Sequence, residues 1–590
     1  HNKLEYLYGI SDGFNSFQDI LKIIKKYNKK KRNLTPGQKR RQWINEKDVV
    51  LITYGDQITE DNTHPLKSLY KFLRAYLENT VSWVHILPFY PFSSDDGFSV
   101  IDYTKVNPCL GEWDDIKNIG THFNLMFDAV INHISAKSEW FEKYLNKDKE
   151  FENFFIEVDK NTDISRVVRP RILPLVTKFE KHGEKKYLWT TFSKDQIDLN
   201  YRNYKVLAKI IETLLFYALK GARLIRLDAV GYLWKEPGTS CIHLKKTHVI
   251  IQLFRDIFNI VFPEVMLITE TNVPYKENIT YFGNGNNEAQ MIYQFPLAPL
   301  MLNSFNTENA VCLSKWADSL ETPGKRTTFF NFLASHDGIG IIPARGILND
   351  MELQALVDKS VENGGYISYK TDKNGKKTPY ELNITFFDAL SDQNDSEDIK
   401  IKKFIAAHSI LLSMAGVPAI YINSMVGSKN YYKSIKDKEN LRSINREKFT
   451  LEAIKKDLSD PLSVRFKIYS KLKELIKKRI SEKAFHPNGK QMVLTLDKRI
   501  FSFSRTSLDK KESIISLTNF SDQQINVTID LKSCLFKINY QGIDQGNCQV
   551  ANQISDLISG KKFEINQDSG LSIAMRSYQA MWLKIQEENC

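Results

Sequence analysis

The chain is poor in cysteine. It has six in 590 residues, Cys109, Cys241, Cys312, Cys534, Cys548 and Cys590, and none forms a CxxC or CxC pair. That spacing excludes a disulfide framework and a thiolate zinc site, and predicts free thiols in a reducing compartment. Long apolar runs are also missing: no stretch approaches the roughly 18 residues needed to cross a bilayer. With no secretory leader visible, the expectation is a cytoplasmic protein with no membrane partner. Glycine fingerprints for phosphate or dinucleotide binding are absent, and "GNGNNE" (283–288) lacks the strand–helix setting such a loop needs. His243 and His248 stand five apart with no Glu between them, so they read as helix-surface or packing residues and not as a helical zinc pair. No metal and no cofactor are expected.

What is present is an ordinary globular composition, 42% hydrophobic and 26% charged, with aromatics somewhat high at 12%. The formal charge is +12, and much of the excess lies in Lys25, Lys26, Lys29, Lys30, Lys31, Arg32, Lys39, Arg40 and Arg41. No nucleic-acid motif accompanies this cluster, so it reads as the solvated face of an N-terminal helix ("FQDILKIIKKY") and its loop, with no nucleic-acid partner.

Eight short apolar runs, at 48–55, 81–90, 123–133, 222–231, 265–271, 291–295, 327–337 and 417–423, alternate with amphipathic patterns such as 203–220, 244–259 and 399–415. That count predicts an α/β fold, a (β/α)8 TIM barrel. The barrel parts are 48–133, 201–337 and 399–490, after a basic helical segment over 1–47. Insertions over 134–200 and 338–398 follow strands three and seven, on the face where such barrels carry function. From 491 to 590 short alternating runs predict a C-terminal antiparallel β domain that packs against the barrel.

The strand ends carry the chemistry. Within "RLIRLDAVG" (223–231), Arg226 and Asp228 lie at i and i+2 on one side of the fourth strand. Glu270 ends the fifth strand and Asp337 the seventh, Asp128 and His133 lie at the third, and Asp56 follows the first. A single acid at a strand end ordinarily caps the next helix. Five acids around one rim, accompanied by Arg226, His133 and His336, do not fit that role. They fit cleavage of a glycosidic bond with retention, which needs an ionised nucleophile and a protonated acid about 5–5.5 Å apart. Arg226 is expected to keep Asp228 ionised, and Glu270, in a drier place near other anions, to have its pKa raised.

"DAVINH", "RLIRLDAVG", "LITE" and "FLASHD" resemble, in order and spacing, the four signature regions of the α-amylase superfamily of glycoside hydrolases. The resemblance implies that Asp228 is the nucleophile, Glu270 the acid/base and Asp337 the third acid that holds sugar hydroxyls, with His133 and His336 on the same glucose. "HILPFYPFSSDDGFSVIDYTKVNP" (85–108), "DAVGYLWKEPGTSC" (228–241), "HDGIG" (336–340) and "INREKF" (444–449) are similar to the sucrose phosphorylase subfamily. That likeness implies that Asp56 and Arg446 pin the far side of the glucose, and that Phe192 and Gln196 line its pocket. It implies that Arg169 and above all Arg171 in "VVRPRILP" (167–174) receive phosphate, with Tyr380 and Glu381 of "PYELN" (379–383) on the acceptor side. The subfamily tends to carry an aromatic where Val167 and Val168 stand, and Gln where Glu381 stands. "GYLWKEPGTSCIHLKKTH" (231–248) looks closer to its glucosylglycerate phosphorylases. The implied activity is transfer of a glucosyl unit from a small α-glucoside, such as glucosylglycerate or sucrose, to inorganic phosphate. A hydrolase or transglucosidase on the same residues is the alternative. The oligomeric state is open, with a homodimer as one arrangement.

Overall fold

The computed structural model describes residues 1–32, 43–170, 173–181, 183–371, 377–435, 440–531, 550–566 and 570–587. The eight apolar runs form one closed barrel of parallel strands: β1 (Val50–Thr53), β2 (Trp83–Ile86), β3 (Asn124–Val130), β4 (Ala222–Asp228), β5 (Met266–Thr269), β6 (Met291–Tyr293), β7 (Thr328–Phe332) and β8 (Val417–Tyr421). They pair in chain order, and β8 returns to β1 through Val50↔Ala419 and Leu51↔Ile420. The strands are continuous apolar runs because both faces are covered, by the barrel interior and by the helices outside. All seven residues of β4 are buried, Arg226 and Asp228 included.

The outer helices include Tyr204–Leu219, Lys245–Val261 and Glu397–Ser413. Asn203 and Ser396 cap the first and last of these, their side chains accepting from the N–H groups of Lys205 and Ile399. The N-terminal helix Asn2–Arg32 is broken at Gly9, whose φ of 78° lets the first turns fold back along the rest. His1 thereby packs edge-on to Phe17, with ring centroids 5.3 Å apart. Its basic cluster is only partly solvated as expected: Lys26 pairs with Glu212, and Lys31 bonds to Val261 O at 2.9 Å and to Glu264 at 3.2 Å. Lys39, Arg40 and Arg41 lie outside the described residues.

The segment after β3 opens with a short strand, His133–Ser135, paired antiparallel with Gln196–Asp198, and carries a hairpin of Val176–Lys181 and Glu184–Trp189. The segment after β7 is a three-stranded antiparallel sheet, Ile339–Gly340, Lys377–Asn383 and Tyr366–Thr371, with the helix Asp350–Glu362. From Lys490 a six-stranded antiparallel sheet and a two-stranded one (Ile525–Asp530 with Gly570–Met575) enclose a core of Ile515, Leu517, Ile529, Leu571 and Leu583. This domain grips the turn that leads into β8. Arg505 donates to Ser413 O at 2.6 Å, the Ala415 N–H reaches the Gln491 side chain at 2.8 Å, and the Gly416 N–H reaches Pro487 O at 3.0 Å. Among the described residues no helix is long and apolar enough to cross a membrane.

Candidate active site

The register of the barrel assembles the floor of the site. Asp128 on β3 lies directly across from Arg226 on β4, and Val130 across from Asp228. Arg226 donates through one nitrogen to Asp128 and, at 2.9 Å, to Asp228, while its other terminal nitrogen is 4.0 Å from Glu270. The guanidinium lies between the rings of Phe98 and Tyr293, 5.5 and 5.6 Å from their centroids. His85 on β2 meets the second oxygen of Asp128 at 2.7 Å. An ion pair in a buried strand is thus explained: the charges form a row across three strands, in which Asp128 and Asp228 each face Arg226 and Asp128 also faces His85.

Asp228, Glu270 and Asp337 line one cavity that is open at its mouth. Burial pushes the Asp228 and Glu270 carboxyls up, Asp228 the more strongly, and Arg226 opposes the rise in both. Burial thus works against the ionisation of Asp228 expected from Arg226. The direct bond from Arg226 to Asp228, against its 4.0 Å approach to Glu270, favours the charge on Asp228 and the proton on Glu270. Glu270 also receives a hydrogen bond from the Ala229 N–H, and Ala229 sits in the left-handed region at φ 54°. The turn just after Asp228 is strained in a way typical of functional positions. Asp337 behaves oppositely: burial works against its charge, but Arg442, then His336, hold it well below the ordinary carboxylate range. Asp128 is not on the rim. It is fully buried beneath the cavity, where Arg226 and then His85 outweigh burial and hold it down to about 2.

One group of lining residues surrounds Phe98. Its carbonyl oxygen lies 3.0 Å from both His133 Nε2 and Gln196 Nε2, and its ring stacks on His336 at 4.7 Å. The pairing of His133 with Asp198 and of Ser135 with Gln196 sets the first two in place. Phe192 packs against the rings of His133 and Tyr232. Burial pushes His336 down to about 3 and lowers His133, so both are neutral hydrogen-bonding groups at ordinary pH.

A second group comprises Tyr380, Asn272, Arg442, Ile242 and His243. The Asn272 amide reaches the Tyr380 hydroxyl at 3.3 Å, and Arg442 lies 2.5 Å from Asp337 Oδ1. Glu381 does not face the cavity as expected. It is 2% exposed behind Arg442, whose Nε and Nη2 it meets at 3.1 Å. His243, read from its spacing as a packing residue, lines the cavity instead, with Nδ1 2.6 Å from the Tyr281 hydroxyl. His248 does pack, stacked on Tyr281.

Asp56 and Arg446 were expected on the sugar, and neither is among the residues that line the cavity. Arg446 donates to His336 O at 2.8 Å and pairs with Asp96, while Asp56 pairs with Lys448. Asp95, from the same left-handed turn as Asp96, lines the cavity. Arg169 is exposed and does not line it, its neighbour Pro170 does, and Arg171 lies outside the described residues. Sequence reasoning missed Arg442, Asp95, Tyr232 and Asn272. Arg442 stood four residues before Arg446, just ahead of the segment 444–449 already singled out.

Three comparisons bear on this site. A family model for the α-amylase catalytic domain matches residues 75–346. The chain is 44% identical to glucosylglycerate phosphorylase of Escherichia coli (strain K12) over 98% of this chain and 99% of that protein. It is 50% identical to glucosylglycerate phosphorylase of Allomeiothermus silvanus over 78% of this chain and 83% of that protein. Among solved structures it is similar to sucrose 6F-phosphate phosphorylase from Thermoanaerobacter thermosaccharolyticum, with a TM-score of 0.70 and 25% identity, covering 82% of this chain and 95% of the other.

Proposed function

Because the chain belongs to the α-amylase superfamily and, within it, to the sucrose phosphorylase-like enzymes, we propose that it is a retaining phosphorylase of glucosylglycerate. The single observation that supports the mechanism is the sharing of Arg226 by Asp228 and Glu270 at the wall of one cavity. Asp228 attacks the anomeric carbon as Glu270 gives its proton to the departing glycerate oxygen, leaving a β-glucosyl ester on Asp228. Glu270, now a carboxylate, takes the proton of an incoming hydrogen phosphate whose oxygen attacks the same carbon. The ester breaks, Asp228 is restored, and α-glucose 1-phosphate leaves with its original stereochemistry.

Burial raises the Glu270 carboxyl, which suits a proton donor, and neutral His133 and His336 suit hydrogen bonding to sugar hydroxyls. Glycerate as leaving group is supported by relatives matched at 44 and 50% identity. The reading places the enzyme in a reducing compartment, in keeping with the free thiols of Cys109, Cys241 and Cys312.

The test is product analysis with glucosylglycerate, glucosylglycerol, sucrose and sucrose 6′-phosphate, each with and without phosphate. α-Glucose 1-phosphate should form only with phosphate, and fastest from glucosylglycerate. Glucose as the sole product at every phosphate concentration would mark a hydrolase and end the proposal.

A further inference from the structure

Phosphate and glycerate are both anions, yet the wall they must pass carries Asp95, Asp228, Glu270 and Asp337. Among the described residues, the arginines in that wall are Arg226 and Arg442. Arg226 is committed to the floor, between Asp128 and Asp228. Arg442 stands beside the acid/base: it pulls the Glu270 carboxyl and the Tyr380 hydroxyl downward, against the burial that raises both. Arg442 lines the same cavity as Asp228 and Glu270 and lies 2.5 Å from Asp337 in that wall, so an oxyanion brought into the cavity meets this guanidinium.

The side chain is held from behind. The Glu381 carboxylate meets Nε and Nη2 of Arg442 at 3.1 Å and accepts the Gly338 N–H at 2.6 Å. A Cβ at Gly338 would lie 2.5 Å from Leu382 O and 2.7 Å from the Glu381 side chain, so only glycine allows this approach. The Nη1 contact with Asp337 is close in distance but lacks hydrogen-bond geometry, which makes it charge pairing and not an aligned bond. A planar fork fixed along one edge is suited to present its other edge to phosphate or carboxylate oxygens.

We propose that Arg442 reads the oxyanion of the acceptor, and that Glu381 is the positioning residue that fixes its plane. The class of acceptor selected is a small hydroxyl compound or acid bearing phosphate or carboxylate oxygens next to the attacking oxygen. This deepens the phosphorylase reading and rests on it.

The experiment follows wild type, Arg442→Lys, Arg442→Gln and Glu381→Gln in two directions. In the forward direction, the ratio of α-glucose 1-phosphate to glucose formed from glucosylglycerate is measured across a phosphate series. In the reverse direction, α-glucose 1-phosphate is offered with glycerate or with glycerol. For Arg442→Gln the phosphate-to-water ratio and the glycerate-over-glycerol preference should each fall about tenfold or more, with Arg442→Lys recovering part of both. For Glu381→Gln the KM for phosphate should rise about threefold to tenfold with kcat changed less. If Arg442→Gln and Arg442→Lys both slow transfer to phosphate and to water in equal proportion, with the glycerate preference intact, Arg442 serves only to hold Asp337 and the proposal is wrong. A wild type that yields glucose alone fails the phosphorylase reading instead, and the glycerate preference then judges Arg442 by itself. Should Arg442→Gln not fold, the lysine variant carries the same two readouts.

Discussion

The two arginines of the cavity sit in opposite kinds of structure. Arg226 lies inside a barrel strand, with partners fixed by strand register on one side and by residue alternation on the other. Arg442 lies in the short helix Leu441–Asn445 beyond β8, and its partners come from the loop after β7 and from the inserted sheet. The floor is built by what lies next to what in the barrel. The wall is built by segments that meet only after the barrel has formed. Chemistry common to a large group of enzymes belongs on the first, and the choice of acceptor on the second.

The floor gives the largest expected effects. Asp228→Asn should lower kcat by at least about 10⁴-fold, since the nucleophile is lost while the cavity keeps its shape. A loss below about a hundredfold in steady-state assays would detach the nucleophile from this residue. Arg226→Met should cost about 3–5 kcal/mol of stability in urea titrations, because Asp128 would remain buried with its main cation gone. A loss of only about 1 kcal/mol would show that the row of charges tolerates a gap.

The wall should respond differently. Gly338→Ala is expected to raise the KM for phosphate several-fold through the displaced Glu381, with a stability cost of about 1–3 kcal/mol from overpacking. A kcat collapse like that of Asp228→Asn would erase the distinction between the two regions. The smallest effect concerns pH. The folded-state pKa of Glu270 is raised by burial, so the folded chain binds that proton more tightly than the unfolded chain does. Stability from this group is full below the unfolded pKa and is lost as pH rises through the folded one. Glu270→Gln should therefore melt higher than wild type at pH 8, with the difference shrinking toward pH 4. A difference that grows on acidification would reverse the sign of the shift.

The same contrast explains what the sequence made legible. All eight strands could be read because a doubly covered strand must be an unbroken apolar run, and Arg226 and Asp228 stood out as violations of that rule. Asp128 was misplaced on the rim because alternation along one strand cannot tell depth; its burial follows from register with β4. His243 was dismissed because its distance from His248 was measured along a helix, whereas a left-handed φ of 57° takes it out of any helix and into the cavity wall. Glu381 and Arg442 are 61 residues apart and hydrogen-bonded, and no local pattern encodes such a meeting.

The turn from Ser413 to Gly416 is tied to the C-terminal sheet domain at Arg505 and Gln491, and to Pro487 in the segment that leads into it. It delivers β8, which shuts the barrel against β1. A chain cut before residue 487 would leave Ser413 O, Ala415 N–H and Gly416 N–H without these partners at the seam. Among the described residues the C-terminal sheet domain lines no part of the cavity, yet its hydrogen bonds latch the hoop on which the three acids are mounted.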